Sequence, residues 1–224
     1  MTRRILANEG RDVQIAGGGV LLDGDLTVPA HARGVVLFAH GSGSSRFSTR
    51  NRHVAELLQE SGYATLLMDL LTPNEDDVDR YTAEFRFDID RLATRLVDAV
   101  EWVAGEESTV GLPISIFGAS TGGGAALVAA AEAPHRVAAV VSRGGRPDLA
   151  ADALDRVEAP TLLIVGGNDA TVLELNRTAL ARLHGTARLE VIPGATHLFE
   201  EPGALDEVSR HATAWIESYA SRAT

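Results

Sequence analysis

The sequence of 224 residues contains no cysteine. A disulfide framework, a metal site built from thiolates and a cysteine nucleophile are therefore excluded. No apolar run approaches the roughly 20 residues that a membrane-spanning helix requires. Near the start, two arginines are followed by only three apolar residues, too few for the core of a signal peptide. We therefore expect a cytoplasmic protein with no membrane partner.

Positive charge is also scarce, since 20 lysines and arginines stand against 31 acidic residues, for a net charge of -11. An acidic surface repels nucleic-acid phosphates, so nucleic acid is not an expected partner. The histidines and acidic residues show no compact ligand spacing on one predicted element, so no metal is predicted. The length and the hydrophobic content of 45% suit one domain, over residues 1–224.

Short apolar runs alternate with helix-length segments from residue 34 onward. The predicted strands cover 34–39, 64–68, 113–117, 137–141, 161–165 and 187–192. The predicted helices cover 51–61, 88–104, 123–133, 149–157, 171–183 and 204–219. Continuous apolar runs are typical of strands that are covered on both faces. The pattern predicts a three-layer α/β fold with a mostly parallel sheet, whose sites lie at the carboxyl ends of the strands.

Two segments depart from this alternation. Residues 13–28 alternate loosely around glycine turns, which predicts antiparallel strands. Residues 71–87 carry Pro73, an acidic run and mixed aromatic residues, which predicts a loop beside the cleft. That loop is either a solvated acidic connection or a small lid.

A serine stands at the centre of Gly118-Ala-Ser-Thr-Gly122, directly after an apolar strand and before a helix rich in small residues. A sharp turn from strand to helix exposes the serine hydroxyl and leaves room only for glycine two residues to either side. The order of strand, turn and helix therefore predicts that Ser120 is a nucleophile. The amide of Thr121 then lies at a helix N-terminus, where a developing oxyanion is stabilised.

A serine nucleophile needs a base, and four histidines follow Ser120. His197 follows the last predicted strand and is the preferred base. The other three are expected to be surface or capping residues: His135, His184 and His211.

The acid is expected between the nucleophile and the base, at another strand end. Asp169 follows the strand at 161–165 and is the preferred acid, placed to orient the imidazole. The alternative role for Asp169 is to cap the next helix or to form a turn. Asp148 is the alternative acid.

The loop after the strand at 34–39 reads His40-Gly41-Ser42-Gly43-Ser44. Its position predicts that the amide of Ser42 is the second oxyanion donor, beside that of Thr121. His40 is predicted to bind the loop backbone rather than to act as a base.

Two groups of arginines lie near these strand ends. One group contains Arg46, Arg50 and Arg52, and the other contains Arg143 and Arg146. Arg46 and Arg143 are the candidates for orienting an anionic substrate. The alternative is that all of them are solvated surface residues.

The four segments His40–Ser44, Gly118–Gly122, Gly166–Asp169 and Gly194–His197 together resemble the α/β-hydrolase superfamily, and within it the small branch related to dienelactone hydrolase. The resemblance extends over about residues 13–220. It implies an eight-stranded sheet with little or no cap. It also implies the triad Ser120, Asp169 and His197, with Ser42 and Thr121 as oxyanion donors.

The resemblance has two limits. Dienelactone hydrolase itself has a cysteine nucleophile, so its substrate is not carried over to this chain. Similar hydrolases sometimes occur fused to a phosphoribosyltransferase domain, which says little about the chemistry of the hydrolase part. The predicted activity is hydrolysis of a small ester through an acyl-enzyme on Ser120, without a cofactor.

Two classes of nucleotide-binding protein fit the sequence motifs less well. The segment from Gly41 to Arg46 resembles part of the glycine-rich fingerprint of dinucleotide-binding proteins, but Arg46 stands where the third glycine is required. The fingerprint also needs an acidic residue about 20 positions further on. The next acid at a strand end, Asp69, lies 28 residues after Gly41. A P-loop is excluded because Gly-Lys-Ser/Thr is missing. A thioesterase, a lactonase, a perhydrolase and a catalytically silent binding module stay open.

Overall fold

The computed structural model describes residues 9–219. The strands are β1 (Glu9–Gly17), β2 (Val20–Val28), β3 (Val35–Ala39), β4 (Ala64–Met68), β5 (Ile114–Ala119), β6 (Val137–Arg143), β7 (Thr161–Gly166) and β8 (Ala187–Ile192). The helices are α1 (Thr49–Glu60), α2 (Pro73–Thr82), α3 (Ile89–Gly105), α4 (Thr121–Glu132), α5 (Ala170–Leu180) and α6 (Ala204–Tyr219). A 3₁₀ segment covers Pro147–Arg156.

The strands form a single sheet in the order β1-β2-β4-β3-β5-β6-β7-β8. Strands β3 to β8 run parallel to one another, and β2 is antiparallel to both β1 and β4. The predicted α/β fold with a mostly parallel eight-stranded sheet is thus confirmed. The antiparallel pair begins at Glu9, before the predicted start at residue 13.

Each face of the sheet carries its own apolar core because side chains alternate along every strand. On β3, Leu37 packs among residues of α3 and α4, whereas Val36 and Phe38 pack among residues of α1 and α6. All five residues of β3 are buried, as expected for a central strand covered on both faces. These layers hold the carboxyl ends of β5, β7 and β8 at one edge of the sheet.

The prediction of a loop at 71–87 is wrong, because residues 73–82 form helix α2. Thr72 caps the helix by accepting a hydrogen bond from the Glu75 amide, and the Glu75 carboxylate accepts one from the Thr72 amide. Pro73 occupies the first turn, where its missing N–H costs nothing. These features together form a capping box that starts a helix.

The segment predicted as a helix at 149–157 is a 3₁₀ segment that begins earlier, at Pro147. It is interrupted at Ala151, whose φ of 45° lies outside the helical region. Over residues 9–219, no helix combines the length and the apolar character needed to cross a membrane.

Candidate active site

Ser120 occupies the turn between β5 and α4, where the chain reverses from strand to helix within one residue. Its backbone angles are φ 52° and ψ -121°, a conformation that residues with a side chain rarely adopt. The amide of Ser120 donates to the carbonyl of Arg143 on the neighbouring strand, and its carbonyl accepts from the amide of Gly123. The turn is thus fixed from both sides, and the side chain projects into a cavity.

The two glycines of the turn are required by close backbone contacts. A Cβ on Gly118 would lie 2.5 Å from the carbonyl oxygen of Gly122. A Cβ on Gly122 would lie 2.5 Å from the carbonyl oxygen of His40 and closer still to that of Ala39. Real Cβ atoms do not approach backbone oxygens so closely, so only glycine allows β3, β5 and α4 to meet around Ser120.

The structure brings Ser120, His197 and Asp169 together in one hydrogen-bonded chain. Nε2 of His197 lies 3.3 Å from Oγ of Ser120. Nδ1 of the same ring donates to Oδ2 of Asp169 over 2.7 Å. The carboxylate therefore fixes the proton on Nδ1 and leaves Nε2 free to accept a proton from the serine.

The loops that carry the acid and the base are joined to each other. The amide and the side chain of Asn168 donate to the carbonyls of Ala195 and Gly194, over 2.9 and 2.8 Å. The amide and the hydroxyl of Thr196 donate to the carboxylate of Glu201. The bonds of Asn168 hold the loops after β7 and β8 side by side, and those of Thr196 fix the loop after β8 itself, so Asp169 and His197 keep their separation.

Asp169 also caps α5, since its Oδ1 accepts from the amide of Val172 over 3.4 Å. The capping interpretation and the interpretation as a triad acid are therefore compatible. The alternative acid, Asp148, is engaged elsewhere, because Arg146 donates to both of its carboxylate oxygens.

The other histidines considered as a base do not reach Ser120. His135, His184 and His211 do not line the cavity that contains Ser120. His40 is buried, and both of its ring nitrogens are used: Nδ1 donates to the carbonyl of Gly41, and Nε2 accepts from the amide of Leu70. Burial lowers the pKa of His40 despite the hydrogen bond to Gly41, which favours the neutral ring that this bonding pattern requires.

The amide of Ser42 donates to Oγ1 of Thr121 over 2.8 Å. The two residues predicted as oxyanion donors are therefore in direct contact, across the start of α4. Gly41, just before Ser42, approaches Ser120 so closely that a Cβ there would lie 3.1 Å from the serine Cβ. The loop that contains Gly41 and Ser42 thus passes directly beside Ser120.

Two cavities flank this loop and share its residues 41, 42 and 44. The serine cavity, of about 260 Å³, is lined by Ser42, Asn51, Ser120, Arg143 and His197 among others. The α2 cavity, of about 400 Å³, lies on the side of helix α2 and includes the apolar side chains Phe47, Leu70, Leu71 and Leu92. Ser120 faces the smaller and more polar of the two cavities.

The candidate arginines have different environments. The guanidinium of Arg46 contacts the carboxylates of Asp23, Asp25 and Asp69, so its charge is already neutralised. Its expected role in binding a substrate anion is therefore not supported, and the structure favours a role in holding the loop to β2 and β4. Arg52 is likewise paired with Asp25.

Arg143 has a different environment from Arg46. It is only 7% exposed, and it lines the serine cavity. Arg50 lines the same cavity and pairs with the exposed Glu200 over 3.0 Å. Asn51, a buried residue of α1, lines this cavity as well. The sequence analysis did not identify Asn51 as a site residue.

Helix α2 is tied to the site through a second buried arginine that the sequence did not single out. Arg95, which is 1% exposed, donates two hydrogen bonds to the Glu75 carboxylate and one to the carbonyl of Leu70. Burial alone would raise the pKa of Glu75, but hydrogen bonds from Arg95 and Thr72 outweigh it and lower the pKa to about 2. The amide of Leu70 in turn binds His40, so this network supports the loop beside Ser120.

Over residues 9–219, no group of three or more histidine, aspartate or glutamate side chains is arranged to hold a metal ion. The serine cavity instead presents the hydroxyl of Ser120 and the imidazole of His197, and the carboxylate of Asp169 lies behind the imidazole. This set is suited to nucleophilic attack assisted by a general base.

Residues 22–221 match the profile of the dienelactone hydrolase family. The chain belongs to this family. It is 56% identical to a dienelactone hydrolase from Anabaena variabilis, whose crystal structure superposes with a TM-score of 0.93 over 95% of this chain and 99% of that chain. Membership in this family indicates a hydrolase with the α/β-hydrolase fold.

Two further similarities help to place the chain. Est1E from Butyrivibrio proteoclasticus shares the fold, with a TM-score of 0.78 at 18% identity over 94% of this chain and 99% of that chain. Two curated Mycobacterium tuberculosis proteins are 59% identical over 92% of the chain and carry the provisional name phosphoribosyl transferase. The chain spans only 45% of the length of those relatives.

Proposed function

We propose that the protein is a serine hydrolase that cleaves small ester-type substrates through an acyl-enzyme on Ser120. The observation that carries the proposal is the hydrogen-bonded chain from Ser120 through His197 to Asp169. A serine hydroxyl is a weak nucleophile unless a base accepts its proton, and Nε2 of His197 is within reach to do so. The family match supports hydrolysis, while the triad supports serine chemistry in particular.

In the proposed reaction, Ser120 Oγ attacks the ester carbonyl carbon while His197 takes the hydroxyl proton. The negative charge then rests on the former carbonyl oxygen, where the amides of Ser42 and Thr121 stabilise it. The carbon–oxygen bond to the alcohol breaks, and His197 returns its proton to the leaving alcohol. The carboxylate of Asp169 stabilises the imidazolium.

The second half of the reaction releases the acyl group. His197 removes a proton from a water molecule, and the resulting hydroxide attacks the acyl-enzyme carbonyl. The bond to Ser120 breaks, the serine recovers its proton from His197, and a carboxylic acid leaves. The proposed reaction needs no metal and no cofactor, and its partner is a small-molecule substrate.

A thioesterase or a lactonase would use the same groups, because the attack on the carbonyl carbon is the same and only the leaving group differs. Phosphoribosyl transfer is not carried over from the Mycobacterium tuberculosis relatives. Their name describes proteins more than twice as long as the matched region, and the groups around Ser120 are those of acyl transfer.

The test is an activity screen of the purified chain with p-nitrophenyl esters of increasing acyl length, acyl thioesters and small lactones. We expect turnover of a short ester and its loss by at least a thousandfold in Ser120→Ala. Ser218→Ala is the matched control, since that hydroxyl bonds to the carbonyl of Ala214 in α6, outside the serine cavity. Equal activity of Ser120→Ala and the wild type would contradict the proposal, and a folded but inactive wild type would favour a binding module.

A further inference from the structure

The loop after β3 separates two cavities that contain different parts of the proposed machinery. Ser42 lines both cavities. The serine cavity contains Ser120 and His197, whereas the α2 cavity is lined by Thr121 and by neither of those two residues. The amides proposed as oxyanion donors, those of Ser42 and Thr121, therefore lie at the boundary between the two cavities.

The position of His197 decides which part of an ester enters which cavity. In the proposed reaction His197 gives a proton to the leaving alcohol, so the alcohol oxygen must lie on the side of the imidazole. That side is the serine cavity. With the carbonyl oxygen held by the amides of Ser42 and Thr121, the acyl chain extends away from the imidazole and toward the α2 cavity.

Glycines keep the loop thin where an acyl chain would cross it. A Cβ on Gly41 would lie 3.8 Å from Oγ of Ser120, so a side chain there would fill the space beside the hydroxyl. Gly43 lines the α2 cavity, and its φ of 67° favours glycine. An acyl group can therefore reach the α2 cavity past these two residues without displacing a side chain.

The surface of the α2 cavity suits an apolar group. Phe47 and Leu71 line this cavity and offer accessible apolar surface, since Phe47 is 58% exposed and Leu71 is half-buried. Leu70 and Leu92 form a buried part of the lining. The volume of about 400 Å³ lies within the range of roughly 300–1,000 Å³ that is typical of small-molecule sites.

The arginines that line the α2 cavity are all paired with carboxylates. Arg80 pairs with Asp76 over 3.0 Å, and Arg86 pairs with the buried Asp79 over 2.6 Å. The third, Arg46, is held by the three carboxylates described above. A charged acyl group would have to compete with these ion pairs, so the cavity favours a neutral one.

We infer that the α2 cavity binds the acyl group of the substrate while the serine cavity holds the alcohol, which makes esters of neutral, apolar acids the preferred substrates. The inference rests on the proposed ester hydrolysis and assigns its substrate class. The serine cavity is the poorer site for an alkyl chain, because the polar side chains of Ser44, Ser48 and Asn51 line it.

The first experiment compares two isomeric esters, ethyl hexanoate and hexyl acetate, which carry the longer alkyl chain on opposite sides of the ester group. Release of the acid gives kcat/KM for each ester. We expect a value at least tenfold higher for ethyl hexanoate, because only its acyl chain is long enough to bury several methylene groups in the α2 cavity. Equal values, or a preference for hexyl acetate, would overturn the inference.

A substitution at the start of α2 tests the cavity itself. Leu71→Trp fills the α2 cavity, so the ratio of kcat/KM for ethyl hexanoate to that for hexyl acetate should fall at least tenfold. Leu21→Trp is the matched control and should leave the ratio unchanged, because Leu21 is 59% exposed and lines neither cavity.

A second variant keeps this test decisive if Leu71→Trp fails to fold. Leu71→Asn removes apolar surface at similar size, and it should lower the same ratio. An unchanged ratio in a folded Leu71 variant, or an equal loss for both esters, would contradict the assignment of the acyl group to the α2 cavity.

A binding measurement is independent of the proposed reaction. Hexanamide, a neutral analogue of the acyl group, is titrated into isotopically labelled Ser120→Ala, with and without Leu71→Trp, and followed by NMR. We expect the amide signals of Gly43 and Leu70 to shift more than those of Ser48 and Asn51, and binding to weaken at least tenfold when Leu71→Trp is present. That result would support the acyl site even if no ester were hydrolysed.

The opposite pattern would separate the two proposals in the other direction. Hydrolysis of both isomers at equal rates, lost in Ser120→Ala, would leave the proposed reaction standing. Together with the absence of hexanamide shifts at Gly43 and Leu70, it would overturn the acyl site in the α2 cavity.

Discussion

The backbone amide of Ser42 donates a 2.8 Å hydrogen bond to the side-chain hydroxyl of Thr121. The two residues that we assign to the oxyanion hole are therefore coupled before any substrate binds. The bond keeps the loop after β3 against the start of α4. In the proposed reaction, we expect Thr121 to release the amide when the stronger, charged acceptor forms.

Replacing Thr121 by valine tests this coupling, because valine keeps the shape and removes the acceptor. We expect kcat/KM for a short neutral ester to fall about fivefold, which corresponds to the loss of one hydrogen bond of about 1 kcal/mol that orders the loop. Thr121→Ser keeps the hydroxyl and should stay within about twofold of the wild type. Faster turnover by Thr121→Val would mean that the hydroxyl only blocks the Ser42 amide.

Asp169 accepts hydrogen bonds from both His197 and the N-terminus of α5. Replacing it by asparagine separates its role as the proposed triad acid from its role as a helix cap. Asp169→Asn keeps an oxygen for the Val172 amide but loses the charge that fixes the proton of His197. We expect kcat to fall by roughly three to four orders of magnitude, as the equivalent change does in serine proteases, with little change in melting temperature. Asp148→Asn is the control, and comparable losses in both variants would contradict the assignment of Asp169 as the acid.

The pairing of Glu75 with Arg95 predicts a pH-dependent stability. The pKa of Glu75 is about 2 in the folded protein, below its ordinary value of 4.5. Its carboxylate therefore contributes full stability above about pH 4.5, and the contribution is lost as the pH falls toward 2. Glu75→Gln leaves Arg95 buried without a counterion, which should cost about 2 kcal/mol at pH 7. That figure lies below the value for a fully buried pair because the Glu75 side chain is 16% exposed.

Urea unfolding of the wild type and Glu75→Gln at pH 7, 4.5 and 3 measures this effect. The difference in the free energy of unfolding should shrink as the pH is lowered. Asp76→Asn is the control, since Asp76 pairs with the exposed Arg80 and should change stability by less than about 0.5 kcal/mol. A difference that stays constant with pH would show that Glu75 acts through shape rather than charge.

The sheet and the position of the turn could be predicted because they depend on local pattern. The apolar runs have the length of buried strands, and Gly118 and Gly122 stand where the close approach of three elements forbids a Cβ. The strand ends then placed Ser120, Asp169 and His197 at one edge of the sheet. Their hydrogen-bond geometry, however, depends on loop contacts such as that of Asn168 with Ala195, which leave no signal in sequence spacing.

Helix α2 could have been predicted and was not. Thr72, Pro73 and Glu75 form a capping box with proline in the first turn, and this pattern is readable in the sequence. The acidic run and the aromatic residues that follow are more typical of a loop, and the loop prediction rested on them. The partner of Glu75 could not have been predicted, because Arg95 lies 20 residues later on a different helix.

The arginines show where prediction from sequence ends. Arg46 and Arg143 both follow predicted strands, at 34–39 and 137–141, and nothing in their spacing distinguishes them. The difference arises from tertiary contacts: three carboxylates from β2 and from the residue after β4 surround Arg46, whereas a neutral amide and an aromatic ring face Arg143. The single-domain interpretation of residues 1–224 stays a prediction.

The central claim, that Ser120 is an activated nucleophile, is tested most directly by covalent labelling. The purified protein is treated with a fluorophosphonate probe, and its intact mass and its labelled peptide are measured. We predict a single adduct on Ser120, formed within minutes at neutral pH, absent in Ser120→Ala and strongly slowed in His197→Ala. A folded wild type that takes up no probe, or that is labelled equally in Ser120→Ala, would contradict the claim.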